Sequence, residues 1–151
     1  MNRAAERAER LAEQHGSDPE SALSFFGVHV LEERLSGRLT ELFFGDYVVV
    51  DLRLPREKRQ ELLAHALAHK VLHAGNHLAI KRRVYSFGNY HERQAEVFAA
   101  YFLIPSSGLE PMISPDLSVY EVAAEFGVSE KFAEFRLKLA KHYQLVKQVS
   151  A

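Results

Sequence analysis

The sequence predicts an α+β fold in which a small sheet packs against helices. Three strand-like runs, at residues 28–35, 38–44 and 47–52, are separated by the turn signals Ser36-Gly37 and Gly45-Asp46. Their close spacing predicts an antiparallel meander, with the most apolar run, residues 47–52, at its centre. Helical patterns precede and follow these runs instead of alternating with them, which is typical of the α+β class.

Six helical segments are predicted from periodic apolar positions and from residues that begin or end helices. They cover residues 2–15, 19–26, 56–74, 91–104, 119–126 and 130–143. Pro19 and Pro55 suit helix starts, whereas Gly16 and Pro105 suit helix ends. Residues 106–115 are rich in Pro, Ser and Gly, and this composition predicts a loop.

The last two predicted helices form a helix-turn-helix-like pair, with Ser129 as a good N-cap between them. Such a pair can read DNA through its second helix. The excess of basic over acidic residues from Glu130 to Lys147 is mild for a DNA surface. We therefore expect an ordinary packed helical pair, and direct nucleic-acid binding is disfavoured.

The composition is that of an ordinary soluble globular chain. Its 151 residues are 47% hydrophobic and 26% charged, with a net charge of −1. The sequence contains no cysteine, which excludes disulfides and thiolate metal sites and leaves histidine and carboxylate as the strong metal ligands. Residues 1–14 lack the apolar core of a signal peptide, and no apolar run approaches the roughly 20 residues of a membrane span. We expect a cytoplasmic protein that has no membrane partner.

Two histidines, His65 and His69, stand four residues apart in the predicted helix 56–74. On a helix this spacing places both imidazoles on one face, where they can bind one metal ion. In the zinc peptidase motif His-Glu-x-x-His, the residue after the first histidine is a Glu that acts as general base. Here that position is Ala66. Taken alone, the histidine pair favours a simpler interpretation, in which both are polar residues on a half-exposed helix face.

A catalytic zinc takes three protein ligands and keeps one open position, so a third ligand is needed. Glu92 and Glu96 lie one turn apart on the predicted helix 91–104, which we expect to pack against the histidine helix. Two carboxylates on an amphipathic helix are also common as plain surface residues. Their spacing alone leaves both interpretations open.

Taken together, the two segments resemble the ImmA/IrrE family of metallopeptidases. They read Leu63-Ala64-His65-x-Leu67-x-His69-x-x-Leu72-His73 and Glu92-x-x-Ala95-x-x-Phe98-Ala99-Ala100-x-x-Leu103-Ile104-Pro105. The family pattern reads Leu-Ala-His-Glu-Leu-Gly-His-x-x-x-His and then Glu-x-x-Ala-Asn-x-Phe-Ala-Ala-x-x-Leu-Met-Pro. The strand Val48-Val49-Val50-Asp51 and the terminal Val122-Ala123-x-x-Phe126-x-Val128-Ser129 match in the same order, so the resemblance spans about residues 1–143.

The resemblance implies a zincin-like minimal peptidase domain over residues 1–151, with a core at about 1–105 and a C-terminal helical part at 106–151. It implies that His65, His69 and Glu92 bind Zn²⁺.

Three further residues are candidates for supporting roles around the metal. Glu96 stands where the family commonly has Asn, and His73 matches a frequent family histidine one turn after His69. Glu61 lies one turn before His65 on the same face, where it could orient that imidazole.

The resemblance also implies a function, which is site-specific cleavage of a helix-turn-helix transcriptional repressor in phage, mobile elements or stress responses. Ala66 departs from the family pattern at the general base, whose contribution is typically about 10²–10⁴ in rate. We therefore predict impaired hydrolysis. The alternative is a non-catalytic anti-repressor that only binds its target. Ala66 is compatible with an engineered inactivation and with a natural pseudoenzyme alike.

Overall fold

The computed structural model describes residues 2–72 and 89–150, and the α+β class predicted from the sequence is confirmed. Within these residues, the chain forms seven α-helices, one 3₁₀ turn and a three-stranded sheet. In chain order the elements are α1 (Arg3–His15), α2 (Pro19–Phe25), β1 (His29–Glu33), β2 (Glu41–Phe44), β3 (Tyr47–Asp51), α3 (Arg56–Leu72), α4 (Asn89–Leu103), α5 (Ser106–Leu109), a 3₁₀ turn (Glu110–Met112), α6 (Val119–Phe126) and α7 (Glu130–Ser150).

The sheet is mixed, and the predicted antiparallel meander is wrong in one strand pairing. The strand order is β1-β3-β2, with β2 antiparallel to β3 but β1 parallel to β3. The three valines of β3, residues 48–50, are all buried. A strand that is buried in this way is most stable at the centre of a sheet, where both of its edges are hydrogen-bonded to neighbouring strands. Residues 34–40 are long enough to cross from one side of β3 to the other. The central position of β3 is as predicted.

A buried carboxylate holds this crossover in place. Asp51, at the end of β3, accepts hydrogen bonds from the backbone N–H of Leu35 at 2.8 Å and from that of Arg53 at 2.7 Å. The Arg53 guanidinium pairs with the same carboxylate at 2.7 Å and donates to the Leu35 carbonyl at 2.9 Å. Hydrogen bonds from the Arg53 side chain, more than any other cause, hold the pKa of Asp51 well below its usual range.

The helix ends follow local signals in the sequence. The Asn2 side chain accepts the N–H of Ala5 and caps α1, and Gly16 ends that helix with a positive φ of 64°. Ser118 and Glu121 form a reciprocal capping box at the start of α6. The bounds of α1 and α6 agree with the predicted helices to within two residues, and the predicted end of the helix 56–74 lies outside the described residues.

Two predictions about the C-terminal part are wrong. Residues 106–115, predicted as a loop, contain α5 and the 3₁₀ turn, and α7 continues to Ser150 instead of ending at residue 143. A Cβ at Gly108 would lie 3.0 Å from a ring carbon of Phe126, so any larger residue would require the Phe126 ring to shift by a few tenths of an ångström. The glycine that suggested a loop therefore serves close packing inside a short helix.

Helix α4 lies at the centre of the hydrophobic core and contacts α1, α3 and α7. Its C-terminal end is held by Arg136 of α7, whose side chain is almost completely buried. The Arg136 Nε donates to the Ile104 carbonyl at 2.8 Å, and the guanidinium lies over the Tyr101 ring at 3.8 Å from the centroid. Burial lowers the pKa of Arg136 and raises the pKa of Tyr101 to about 12. Among the described helices, none has the length and apolar character needed to span a membrane.

Candidate metal centre

Helix α3 carries its two histidines on a partly exposed face, whereas the residues on its opposite face are buried. Leu63, Ala64 and Leu67 point into the core and are fully buried. The His65 and His69 side chains are only 16% and 17% exposed, so both imidazoles are largely packed, and His65 lines a cleft. The four-residue spacing therefore places both imidazoles on one face of the helix, as predicted from the sequence.

The third residue of the cluster comes from α4, which packs against α3. The Nε2 atoms of His65 and His69 lie 3.1 Å apart. One carboxylate oxygen of Glu92 lies 3.0 Å from the His65 Nε2, and the other lies 3.0 Å from the His69 Nε2. Two helices thus bring two imidazole nitrogens and one carboxylate to a single point.

This donor set fits a divalent metal ion. Within the described residues, His65, His69 and Glu92 form the group of potential ligands whose donor atoms lie close enough to share one ion. Tetrahedral zinc ligands, at bond lengths of about 2.0–2.1 Å, lie about 3.3 Å from one another, which is close to the 3.0–3.1 Å separations here. Two imidazoles and one carboxylate are a donor combination typical of catalytic zinc.

Ala66 follows His65 but does not lie on the surface of the cleft. Its side chain is fully buried and belongs to the hydrophobic core. A methyl group neither accepts nor donates a proton, so the residue that follows His65 supplies no acid–base chemistry.

Of the three candidates for supporting roles, Glu61 and Glu96 line the cleft, whereas His73 lies outside the described residues. Glu61 lines the cleft, but its carboxylate accepts hydrogen bonds from the backbone and hydroxyl of Ser129, at 2.7 and 3.1 Å. Glu96 also lines the cleft, half-exposed, with its carboxylate 3.8 Å from the Arg93 guanidinium.

His65 and Glu92 line a cleft of about 930 Å³ whose other walls were not identified from the sequence. One wall is the N-terminal part of α7, through Lys131, Phe132 and Phe135, and another is Thr40-Glu41 at the edge strand β2. Phe132 and Phe135 lie three residues apart, which is the spacing of one helix face and the one signal that could have pointed to them.

The chain is similar to known proteins in sequence and in fold. Residues 24–138 match the model of a peptidase family described as the IrrE N-terminal-like domain. A sequence relative is the phage-like element PBSX protein XkdA of Bacillus subtilis strain 168, which is 32% identical over 107 residues that cover 68% of this chain and 52% of the relative. A similar solved structure is that of a Mycobacterium tuberculosis transcriptional regulator, with a TM-score of 0.58 and 16% sequence identity. The match covers 86% of this chain and 44% of the other, and at this identity it supports a shared fold only. The chain spans about half the length of both proteins.

Proposed function

The chain belongs to the ImmA/IrrE family of metallopeptidases, and on that premise we propose that it is a zinc-dependent regulator that acts on a helix-turn-helix transcriptional repressor. The observation that carries the proposal is the convergence of His65, His69 and Glu92, whose donor atoms lie 3.0–3.1 Å apart at the side of a large cleft. A repressor target places the activity in the cytoplasm.

Zinc is the proposed ion because the donors are two imidazoles and one carboxylate. Hard ions such as Mg²⁺ and Ca²⁺ favour all-oxygen sites, whereas imidazole favours zinc and its neighbours in the first transition series. Bound zinc supplies Lewis-acid polarisation of a carbonyl and lowers the pKa of water. The chain itself holds the two imidazoles in place through the buried face of α3, and Glu92 contributes a negative charge that offsets part of the charge of the ion.

Catalysis by this chain is proposed to be impaired because Ala66 stands at the position of the general base. General acid–base catalysis is typically worth about 10²–10⁴ in rate. Three other carboxylates line the cleft, and each has a partner. Glu41 accepts a hydrogen bond from the Thr40 hydroxyl, Glu61 is engaged by Ser129, and Glu96 lies beside Arg93. The expected behaviour is metal binding and target binding with weak or absent cleavage.

The proposed partner rests on the relatives and on the cleft. One relative is named as a protein of a phage-like element, and a structural neighbour is named as a transcriptional regulator. The first turns of α7, which a DNA-reading pair would insert into the major groove, instead line the cleft through Phe132 and Phe135. This arrangement favours a protein segment over DNA as the ligand of the C-terminal helical pair.

A second candidate function is that of a non-catalytic anti-repressor. The fully buried methyl group of Ala66 favours it, since a chain that only binds its target has no need of a general base. This candidate predicts repressor binding that survives Glu92→Ala or His65→Ala, because the metal site then plays no part in recognition.

The test is to compare the unmodified chain with Ala66→Glu and Ala66→Gln, all loaded with zinc and incubated with candidate helix-turn-helix repressors. Mass spectrometry of the repressors would show cleavage. We expect Ala66→Glu to cleave about 10²–10⁴ times faster than the unmodified chain. Ala66→Gln has the same size without the carboxylate, so it should remain as slow as the unmodified chain.

Because Ala66 is buried, thermal unfolding of both variants must first show that a longer side chain is accommodated. A folded, zinc-loaded Ala66→Glu variant that leaves every bound repressor intact would contradict the peptidase function. Repressor binding that persists in Glu92→Ala would then favour the anti-repressor.

A further inference from the structure

The cleft beside the metal-ligand cluster has a strongly apolar part that catalysis does not require. Leu54, Leu62 and Ala99 line it together with Phe132 and Phe135, and these five side chains come from four different parts of the chain. The two phenylalanines are only half-buried although they pack against the hydrophobic core. Half-buried aromatic rings in a cleft offer a surface that an apolar ligand group can cover.

The position of this aromatic wall is fixed by contacts to both metal-bearing helices. Glu61 of α3 binds the backbone and hydroxyl of Ser129, the residue before α7. Arg93 of α4, next to Glu92, has its guanidinium 5.0 Å from the centre of the Phe135 ring. The wall is therefore held at a defined place relative to His65 and Glu92, which line the same cleft.

From this geometry we infer that the aromatic wall of α7 is a specificity subsite for one large apolar side chain of the bound protein segment, next to the bond held at the metal cluster. The inference rests on the proposed metal function. It adds that the cleft selects a protein segment with a large apolar side chain next to the metal-bound position. Phe132 is the specificity-determining residue, because it lines the cleft from the first turn of α7. Within the described residues, the cation contact is made by Phe135 and not by Phe132.

The experiment uses the zinc-loaded full chain and two small peptide hydroxamates that differ only in one side chain, benzyl or methyl. Isothermal titration calorimetry measures both dissociation constants and requires no cleavage. We expect the benzyl compound to bind about tenfold more tightly, because an aromatic ring buried against the wall is removed from water. Zinc-free protein should bind neither compound.

Two variants then test whether Phe132 causes the preference for the benzyl compound. Phe132→Ala should reduce the preference for benzyl to about threefold or less, whereas Phe126→Ala should keep it near tenfold. Phe126 is also half-buried and packs against the core, and it is not among the described residues that line the cleft. If Phe132→Ala fails to fold, Phe132→Leu gives the same comparison with less change in volume.

The outcomes separate this inference from the proposed function. If the zinc-loaded chain binds neither hydroxamate, the metal function itself is wrong. If both compounds bind equally well to the unmodified chain, the metal site stands and the apolar subsite is wrong. A benzyl preference that Phe132→Ala and Phe132→Leu both leave unchanged would overturn the role of Phe132.

Discussion

The carboxylate of Glu61 accepts two hydrogen bonds from Ser129, one from the backbone N–H at 2.7 Å and one from the hydroxyl at 3.1 Å. Glu61 lies one turn before His65 on α3, and Ser129 precedes α7, where its hydroxyl accepts the N–H of Phe132 at 3.3 Å. A single carboxylate thus joins the metal helix to the beginning of the helix that forms the aromatic wall of the cleft.

We expect Glu61→Ala to lower the free energy of unfolding by about 1–2 kcal/mol, because it leaves the Ser129 N–H without its acceptor at a helix start. Chemical denaturation measures this change. Glu125→Ala, which removes an exposed carboxylate from α6, should change the unfolding free energy by less than about 0.5 kcal/mol. Equal effects of the two substitutions would show that the link between Glu61 and Ser129 contributes nothing.

The second prediction concerns the pH dependence of stability through Asp51. Hydrogen bonds from Arg53 lower the pKa of this carboxyl in the folded state, so folding favours its ionised form. The resulting stabilisation is complete above the ordinary Asp pKa of 3.8 and is lost as the pH falls through the lower pKa of the folded state.

Denaturation of the unmodified chain and of Asp51→Asn between pH 7 and pH 2 tests this. The unmodified chain should be the more stable at pH 7, and the difference should shrink steadily as the pH falls below about 4. A difference that stays constant over this range would show that the pKa of Asp51 is the same in the folded and unfolded states.

The third prediction concerns Arg136, the buried cation that joins α7 to the end of α4. Arg136→Ala should lower the unfolding free energy by about 3 kcal/mol, since it removes a charge-assisted hydrogen bond to the Ile104 carbonyl and a contact with the Tyr101 ring. Lys138→Ala, two residues further along, removes only an exposed pair with Glu134 and should cost less than about 1 kcal/mol. Thermal unfolding of both variants makes the comparison, and a smaller loss for Arg136→Ala than for Lys138→Ala would contradict it.

Features that depend on neighbours in the sequence could be predicted from the sequence. The cap at Asn2, the stop at Gly16 and the shared face of His65 and His69 each involve residues within one or two helical turns. The periodic patterns and end signals of these helices are local, so the α+β class and most helix bounds followed from them.

Features that depend on distant segments could not be predicted in the same way. The parallel pairing of β1 with β3 depends on Asp51 holding Leu35, sixteen residues earlier, and the meander pattern is compatible with both strand orders. The aromatic wall required α7 to fold back onto α3, and the sequence carries no mark that connects Ser129 with Glu61. The choice of Glu92 as the third ligand depends on a family pattern, because Glu92 and Glu96 lie on the same helix and look alike without the fold.

The most direct test of the central claim is the zinc content of the purified chain after equilibrium dialysis against Zn²⁺, measured beside Glu92→Ala and Glu96→Ala. The two glutamates lie one turn apart on α4 and both line the cleft, but only Glu92 contacts the histidines. We predict about one zinc per chain in the unmodified protein and in Glu96→Ala, and little or none in Glu92→Ala. Zinc bound equally by all three proteins, or by none of them, would contradict the site formed by His65, His69 and Glu92.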